Sequence, residues 1–299
     1  MTTPLANGVH CVMATPFLPD EALDLASLAT LIDYLVGAGC DGILILGVLG
    51  EADKLSDAER ETMIRESIRL AAGRLQVSVG ITHGATAVCR ERALAAQAAG
   101  AAAVMVSPPP GSAAGPALRQ HFVRIAAGLE IPVIVQDHPT SSGVRMPVDL
   151  IAGLAPDLPA NSCVKAEEPP TAPKIARIRE LAPGYQILGG LGGVSLLSEL
   201  DAGSHGTMTG FALPDVLVGI VDAHRAGDRD RAKRLFEAAL PLMVFEAQPG
   251  AGVALRKEIL RRRGAIAHAT VRQPAPLPDP VSLSILDDLL ASAPVGVTL

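Results

Sequence analysis

The chain has 299 residues, a net charge of −6, 49% hydrophobic residues and only 2% aromatic ones, with no Trp. That length suits one large α/β barrel or two ordinary domains, and a core with so few aromatics has to be built from Ala, Val, Leu and Ile, the residues of parallel strands and their covering helices. The absence of a basic stripe with interleaved aromatics argues against nucleic-acid binding, and no apolar run is long enough to span a membrane.

Apolar, β-branched runs recur along the chain, and a helical pattern follows each. Strands are expected at 9–14, 42–46, 76–81, 103–106, 132–136, 162–166, 185–188 and 206–209. Between and after them, amphipathic or Ala-rich helices are expected at 24–38, 57–72, 86–99, 116–128, 148–154, 172–181, 194–202 and 214–226. Asp57 and Thr86 read as helix starters, and Gly39, Gly73 and Gly100 as helix stops. Eight strands alternating with eight helices is the pattern of a (β/α)8 barrel. A doubly wound sheet is the alternative, but it normally carries a Gly-rich first turn, and none follows the first strand.

Beyond Gly227 the patterns are helical only, at 228–245, 252–263 and 282–291, with a Pro-rich surface crossing at 273–280. The expected organisation is therefore a catalytic barrel over 1–226 and a helical C-terminal extension over 227–299. Arg261-Arg262-Arg263 reads as a solvated helix end or an inter-subunit contact. Cys11, Cys40, Cys89 and Cys163 are widely spaced, with neither a CxxC pair nor zinc spacing, and Cys11 and Cys163 sit in apolar runs as buried thiols. Met1-Thr2-Thr3-Pro4 does not begin a signal peptide, so the cytoplasm is the expected location.

In such barrels the chemistry sits where strands end and βα loops begin. The polar groups of this chain gather there, at Thr15, Glu51, His83, Ser107, Gln136-Asp137-His138, Lys165-Ala166-Glu167 and Thr209. Lys165 stands out. Strand alternation turns it to the barrel interior, with Glu167 two residues on and facing the same way. An amine held there can attack a ketone and form a Schiff base. The bland alternative is a lysine that reaches water, with Glu167 as a carboxylate that merely pairs with it. Gly189–Gly193 resembles a phosphate cradle but lacks the following Lys-Ser/Thr of a P-loop.

The strand ends taken together are similar to the dihydrodipicolinate synthase / N-acetylneuraminate lyase family of Schiff-base barrels. The resemblance rests on Ala14-Thr15-Pro16-Phe17, Gly47–Glu51, Ser107-Pro108, Pro139 followed by Gly143, and Val164-Lys165-Ala166-Glu167. It implies that Lys165 is the Schiff-base lysine. Within the family, the 2-keto-3-deoxyarabonate dehydratase-like branch is nearest, through Val135-Gln136-Asp137, Lys165-x-Glu167, Gly206-x-Met208-Thr209-Gly210 and Leu240-Pro241-Leu242.

The departures are specific. Val48 and Leu49 stand where the family has two hydroxyl residues that hold the substrate carboxylate, so backbone N–H groups near Val48, Leu49 and Gly50 are left for that task. Gln136 stands at the position of a catalytic tyrosine, Pro109-Pro110 where a second tyrosine is usual, and Thr140-Ser141-Ser142-Gly143 lacks the arginine of the synthases. These changes argue against dihydrodipicolinate synthase activity itself. Leu191 and Gly192 replace acidic or polar groups of the family, so that with Gly190 the loop would border a bulkier or less polar substrate.

The expectation is a lyase that forms a Schiff base with a 2-keto acid, as dehydratase or aldolase. Lys165 would be the nucleophile and Glu167 the base. Gln136 would be a hydrogen-bond donor to substrate, and His138 either a second proton carrier or a solvent-facing loop residue. Asp137 reads as a loop cap, His83 as structural, and Glu51 as binding the N–H groups of its own turn. No metal or organic cofactor is called for, and the resemblance implies a homo-oligomer, dimer or tetramer. A non-catalytic, ligand-binding barrel is the alternative. A metal-dependent lyase is disfavoured because no metal-ligand spacing is present.

Overall fold

In the computed structural model, which describes residues 3–293, the strands are β1 (Gly8–Val12), β2 (Gly42–Ile45), β3 (Gln76–Gly80), β4 (Ala103–Val106), β5 (Val133–Asp137), β6 (Cys163–Ala166), β7 (Gln186–Leu188) and β8 (Gly206–Thr209). All paired neighbours are parallel, in the order β7-β6-β5-β4-β3-β2-β1-β8. The ring closes through the start of the β7 loop. Gly189 donates to Gly206 O at 3.0 Å, and Met208 donates to Gly189 O at 2.9 Å. Closure leaves no exposed sheet edge. Met1, Thr2 and the last six residues of the expected extension lie outside the described residues.

The helices that follow the strands are α1 (Leu25–Gly37), α2 (Asp57–Ala71), α3 (Thr86–Ala98), α4 (Pro116–Ala126), the single turn α5 (Pro139–Ser142) with α6 (Val148–Leu154), α7 (Thr171–Leu181), α8 (Leu196–Asp201) and α9 (Pro214–Arg225). Each expected element falls within about two residues of its place, as element boundaries generally do. Helices α2 and α3 do start at Asp57 and Thr86, but neither residue is the cap. Ser56, not Asp57, caps α2, in a reciprocal capping box with Glu59. Thr86 is no cap, because its hydroxyl pairs with His121 Nδ1 at 2.9 Å. Gly39, Gly73 and Gly100 do stop their helices, each at positive φ.

Side-chain alternation divides the core in two. Val12, Leu44, Met105, Ile134, Cys163, Leu188 and Met208 turn inward and fill the barrel. Their neighbours Cys11, Ile43, Val104, Val133, Val164 and Ile187 turn outward beneath the helices. Lys165 is two residues beyond the inward Cys163 and lies over this apolar filling. The register continues the layer sideways, since Gln136 is paired with Lys165 across β5 and β6.

After α9 come α10 (Arg229–Glu246), α11 (Gly252–Arg262) and α12 (Pro280–Ser292). Helix α10 packs on α9, α11 and α12 and touches the loop after β7. The Pro-rich stretch before α12 is largely exposed. The basic run is absorbed locally: Arg261 and Arg262 each donate to Glu258 at 2.8 Å, Arg262 also meets Asp287 on α12, and the Arg263 guanidinium lies 6.0 Å from the Tyr34 ring centre.

Candidate active site

The C-terminal ends of the strands surround a cavity of about 400 Å³. Lys165 forms its floor and is only 4% exposed. Its Nζ is 3.2 Å from Glu167 Oε2. Two neutral donors fix that carboxylate: Gln136 Nε2 gives a hydrogen bond to Oε2 at 2.9 Å, and the Leu191 N–H gives one to Oε1 at 3.2 Å. Burial by itself pushes the Glu167 carboxyl up, but the Lys165 charge and the two hydrogen bonds outweigh it, and its pKa lies below the usual range. Glu167 is therefore ionised at neutral pH and held at a fixed distance from the amine.

The backbone around this pair is shaped to it. A Cβ on Gly190 would come within 2.4 Å of Glu167 Oε1, so glycine is what lets the loop pass the carboxylate. Leu191 sits at φ 51°, a left-handed conformation that a γ-branched residue adopts at a cost. That turn aims its N–H at Glu167. Leu46 and Glu51, which flank the loop after β2, are also left-handed, at φ 57° and 51°. Such strained residues cluster at functional sites, where the surroundings hold them.

The residues expected at the site divide as follows. Lys165, Glu167, Gln136 and His138 line one cavity, together with Val48, Leu49 and Leu191. His138 is pressed against the wall, and burial draws its pKa below the ordinary imidazole value. Gly50 stands back, because its N–H is spent on Gly47 O at 3.0 Å within the turn and its carbonyl accepts from Thr15 Oγ1 at 2.7 Å. Gln136 reaches Glu167 and orders it.

Two other readings change, those of Asp137 and Glu51. Asp137 is on the outward face of β5, where it pairs with Lys174 of α7 at 2.6 Å and caps nothing; burial pushes its carboxyl up to about 6. Glu51 does not bind its own turn. It accepts from Lys257 Nζ at 2.6 Å, Lys54 Nζ at 2.9 Å and the Arg272 N–H at 3.0 Å, which ties the β2 loop to the extension. His83, whose Nδ1 accepts from the Ala85 N–H at 3.0 Å, and Pro110 line a neighbouring cavity of about 450 Å³ rather than the one over Lys165.

The sequence reading missed the cavity roof. The junction of α10 and α11 folds over the strand ends and adds Glu246, Gln248, Val253 and Arg256 to the lining. These residues are some 80 to 90 positions from Lys165, and no local signal marks them. Among the described residues no group of three or more His, Cys, Asp or Glu side chains is arranged to hold a metal ion, and no helix is long and apolar enough to cross a membrane.

The sequence profile of the Dihydrodipicolinate synthetase family matches residues 5–287. The chain belongs to that family. Among its relatives, L-2-keto-3-deoxyarabonate dehydratase of Azospirillum brasilense is 34% identical over 282 residues, covering 92% of this chain and 90% of that protein. The 4-hydroxy-tetrahydrodipicolinate synthase 1 of Streptomyces coelicolor is 30% identical, covering 81% and 79%. The crystal structure of dihydrodipicolinate synthase from Rhodopseudomonas palustris superposes with a TM-score of 0.92 at 35% identity, covering 97% of this chain and 98% of that one. A prophage protein of the same family from E. coli K12, solved in complex with pyruvate, superposes at 0.89 with 26% identity, covering 95% and 97%. In dihydrodipicolinate synthetase family terms, then, this chain keeps the barrel and its strand-six lysine while its rim carries Val48, Leu49, Gln136 and Leu191.

Proposed function

We propose that this chain is a lyase that forms a Schiff base between Lys165 and a 2-keto acid, and then dehydrates the substrate or breaks its C3–C4 bond. The observation that carries the reading is the buried Lys165 amine on the floor of an open cavity, 3.2 Å from an ionised Glu167 on the same face. The 2-keto-3-deoxy acid named for the Azospirillum brasilense relative supports that class of substrate.

The steps follow from the geometry. Glu167 accepts the proton that the amine gives up, and Nζ attacks the C2 carbonyl. Glu167 returns that proton to the carbinolamine hydroxyl, which leaves as water, and the resulting iminium draws electrons from C3 and acidifies its protons. In a dehydration Glu167 Oε2 takes a C3 proton. It returns that proton to the C4 hydroxyl, which leaves as water, and hydrolysis of the unsaturated iminium regenerates the lysine. In an aldol cleavage C3 keeps its protons: Glu167 instead takes the proton of the C4 hydroxyl, the C3–C4 bond breaks to an aldehyde and an enamine, and return of that proton to C3 followed by hydrolysis releases pyruvate.

Gln136 cannot carry protons, so its part is to aim Glu167. His138, kept neutral by burial, is placed to accept a proton or a hydrogen bond near C4. The N–H groups of Val48 and Leu49 take the substrate carboxylate. Assembly into a dimer or tetramer belongs to the same reading.

The test is borohydride reduction in the presence of pyruvate, followed by peptide mass analysis. A reduced pyruvyl adduct on the peptide containing Lys165 supports the proposal. Folded protein that gives no adduct with any 2-keto acid sinks it and leaves a ligand-binding barrel.

A further inference from the structure

The cavity is not uniform. Its ionisable and hydroxyl-bearing groups concentrate around the amine, at Lys165, Glu167, His138, Thr140 and Thr209. Toward the β7 loop and α11 the walls are apolar, while on the side of Gly47 and Gln136 the cavity adjoins the one lined by Thr82, His83, Arg92 and Ser107. Val48 and Leu49 come from the β2 loop, Leu191 and Val194 from the β7 loop, and Val253 from α11. Leu49 extends across the mouth as far as β8, where its Cδ1 lies 2.1 Å from the place a Cβ on Gly210 would take. Val48 is 58% exposed, an uncovered apolar side chain at the opening.

The polar residues of the roof are already engaged with protein. Gln248 Nε2 donates to Phe245 O at 2.9 Å. Glu246 accepts the Ala212 N–H at 3.0 Å and pairs with Arg256. Arg256 is itself 5% exposed; its Nε is spent on Glu246, and its Nη1 is buried without a hydrogen-bond partner among the described residues. A polyhydroxylated chain bound here would exchange water for hydrocarbon along its outer half, and a hydroxyl that leaves water unpaired costs free energy. An alkyl or aryl group in the same place gains from leaving water.

We infer that the substrate is a 2-keto-4-hydroxy acid whose chain beyond C4 is apolar, alkyl or aryl, rather than a polyhydroxylated sugar acid. This rests on the Schiff-base reading above and adds the identity of the outer half of the substrate. The C4 hydroxyl remains, because both water loss and C–C cleavage use it and because His138 and Thr140 line the part of the cavity it would enter.

A competition experiment separates the two claims. In one sample pyruvate is trapped with borohydride on the intact protein. In a second, untreated sample equal concentrations of 2-keto-4-hydroxy-4-phenylbutanoate and 2-keto-3-deoxyarabonate are offered together with borohydride, and at short times both adducts are quantified on the Lys165 peptide, with any benzaldehyde or glycolaldehyde released counted for its parent acid. Hydrophobic pockets discriminate by about ten- to a hundredfold, and that excess of phenyl adduct is expected. The variant Val194→Thr/Val253→Thr, which is close in shape and touches neither Lys165 nor its carboxylate partner, should still trap pyruvate while the excess shrinks to roughly a few-fold. Equal yields from the two acids, or a majority from the sugar acid, overturns the inference while leaving the Schiff-base chemistry standing. Loss of the pyruvate adduct itself in the unsubstituted protein removes the Schiff base and the inference with it.

Discussion

Two lysines are buried in this protein beside glutamates, and their surroundings differ. Lys165 lies at the floor of a cavity with Glu167 at 3.2 Å. Lys257 of α11 is 0% exposed, and its Nζ donates to Glu51 at 2.6 Å and to Thr270 O at 2.7 Å while resting 4.2 Å from the centre of the Phe17 ring. Desolvation draws its pKa down to about 8, which taken alone would mark it as a candidate nucleophile. Its position argues otherwise. It lines no cavity described above, and each of its partners ties the extension to the barrel. Burial and a partner carboxylate are common to structural and reactive lysines, and an open volume beside the amine is what separates them.

The comparison can be broken by substitution, with Lys165 giving the largest effect. Lys165→Ala should abolish the borohydride adduct and lower turnover by about 10⁴-fold or more, as removal of a covalent nucleophile does, whereas Lys257→Met should leave the adduct in place. Glu167→Gln comes next. Imine trapping should persist while kcat falls by about 10²- to 10⁴-fold, the usual contribution of a general base. A Glu167→Gln protein with unchanged kcat would return Glu167 to the role of a simple counter-ion.

Lys257→Met should cost roughly 3–5 kcal/mol in denaturant unfolding, because Glu51 then keeps a buried charge without its closest cation. Adding Glu51→Gln should recover part of that loss, and a coupling energy near zero would show that the two charges do not support one another. The smallest effect concerns Glu199 on α8, fully buried just behind the Gly189–Gly190 turn, with its carboxyl pushed up to about 7 by burial. A carboxyl whose folded pKa is raised costs nothing while protonated in both states. Its penalty grows as pH rises from the unfolded value of about 4.5 through 7, reaching roughly 3 kcal/mol at 1.36 kcal/mol per pH unit. Glu199→Gln should flatten the fall of stability across that window without removing the Lys165 adduct. An unchanged pH slope would show that Glu199 does not titrate there.

Much of the site was legible because it is a matter of local period. Cys163, Lys165 and Glu167 alternate with Val164 and Ala166, so placing one residue inside the barrel places the others; that Gln136 lies beside Lys165 depends on the β5–β6 register, which only the pairing of the strands sets. Glu51 and Asp137 were misread for the same reason. Their partners, Lys257 and Lys174, are 206 and 37 residues away, and a local reading can offer a carboxylate only its own turn. Gly50 failed differently: its N–H was assigned to a ligand, yet the turn it belongs to needed that donor for itself.

The sequence by itself determined the barrel, the inward amine and its partner carboxylate, since these depend on strand and helix periods that nearest neighbours along the chain enforce. Only the tertiary structure decided what the amine faces. The return of α10 and α11 over the strand ends roofs the cavity with residues that are paired mainly with one another, and the crossing of Leu49 to Gly210 lines its mouth with hydrocarbon. Contacts of that kind join segments far apart in the chain. They are set by shape and charge complementarity when the elements pack, and periodicity carries no information about them.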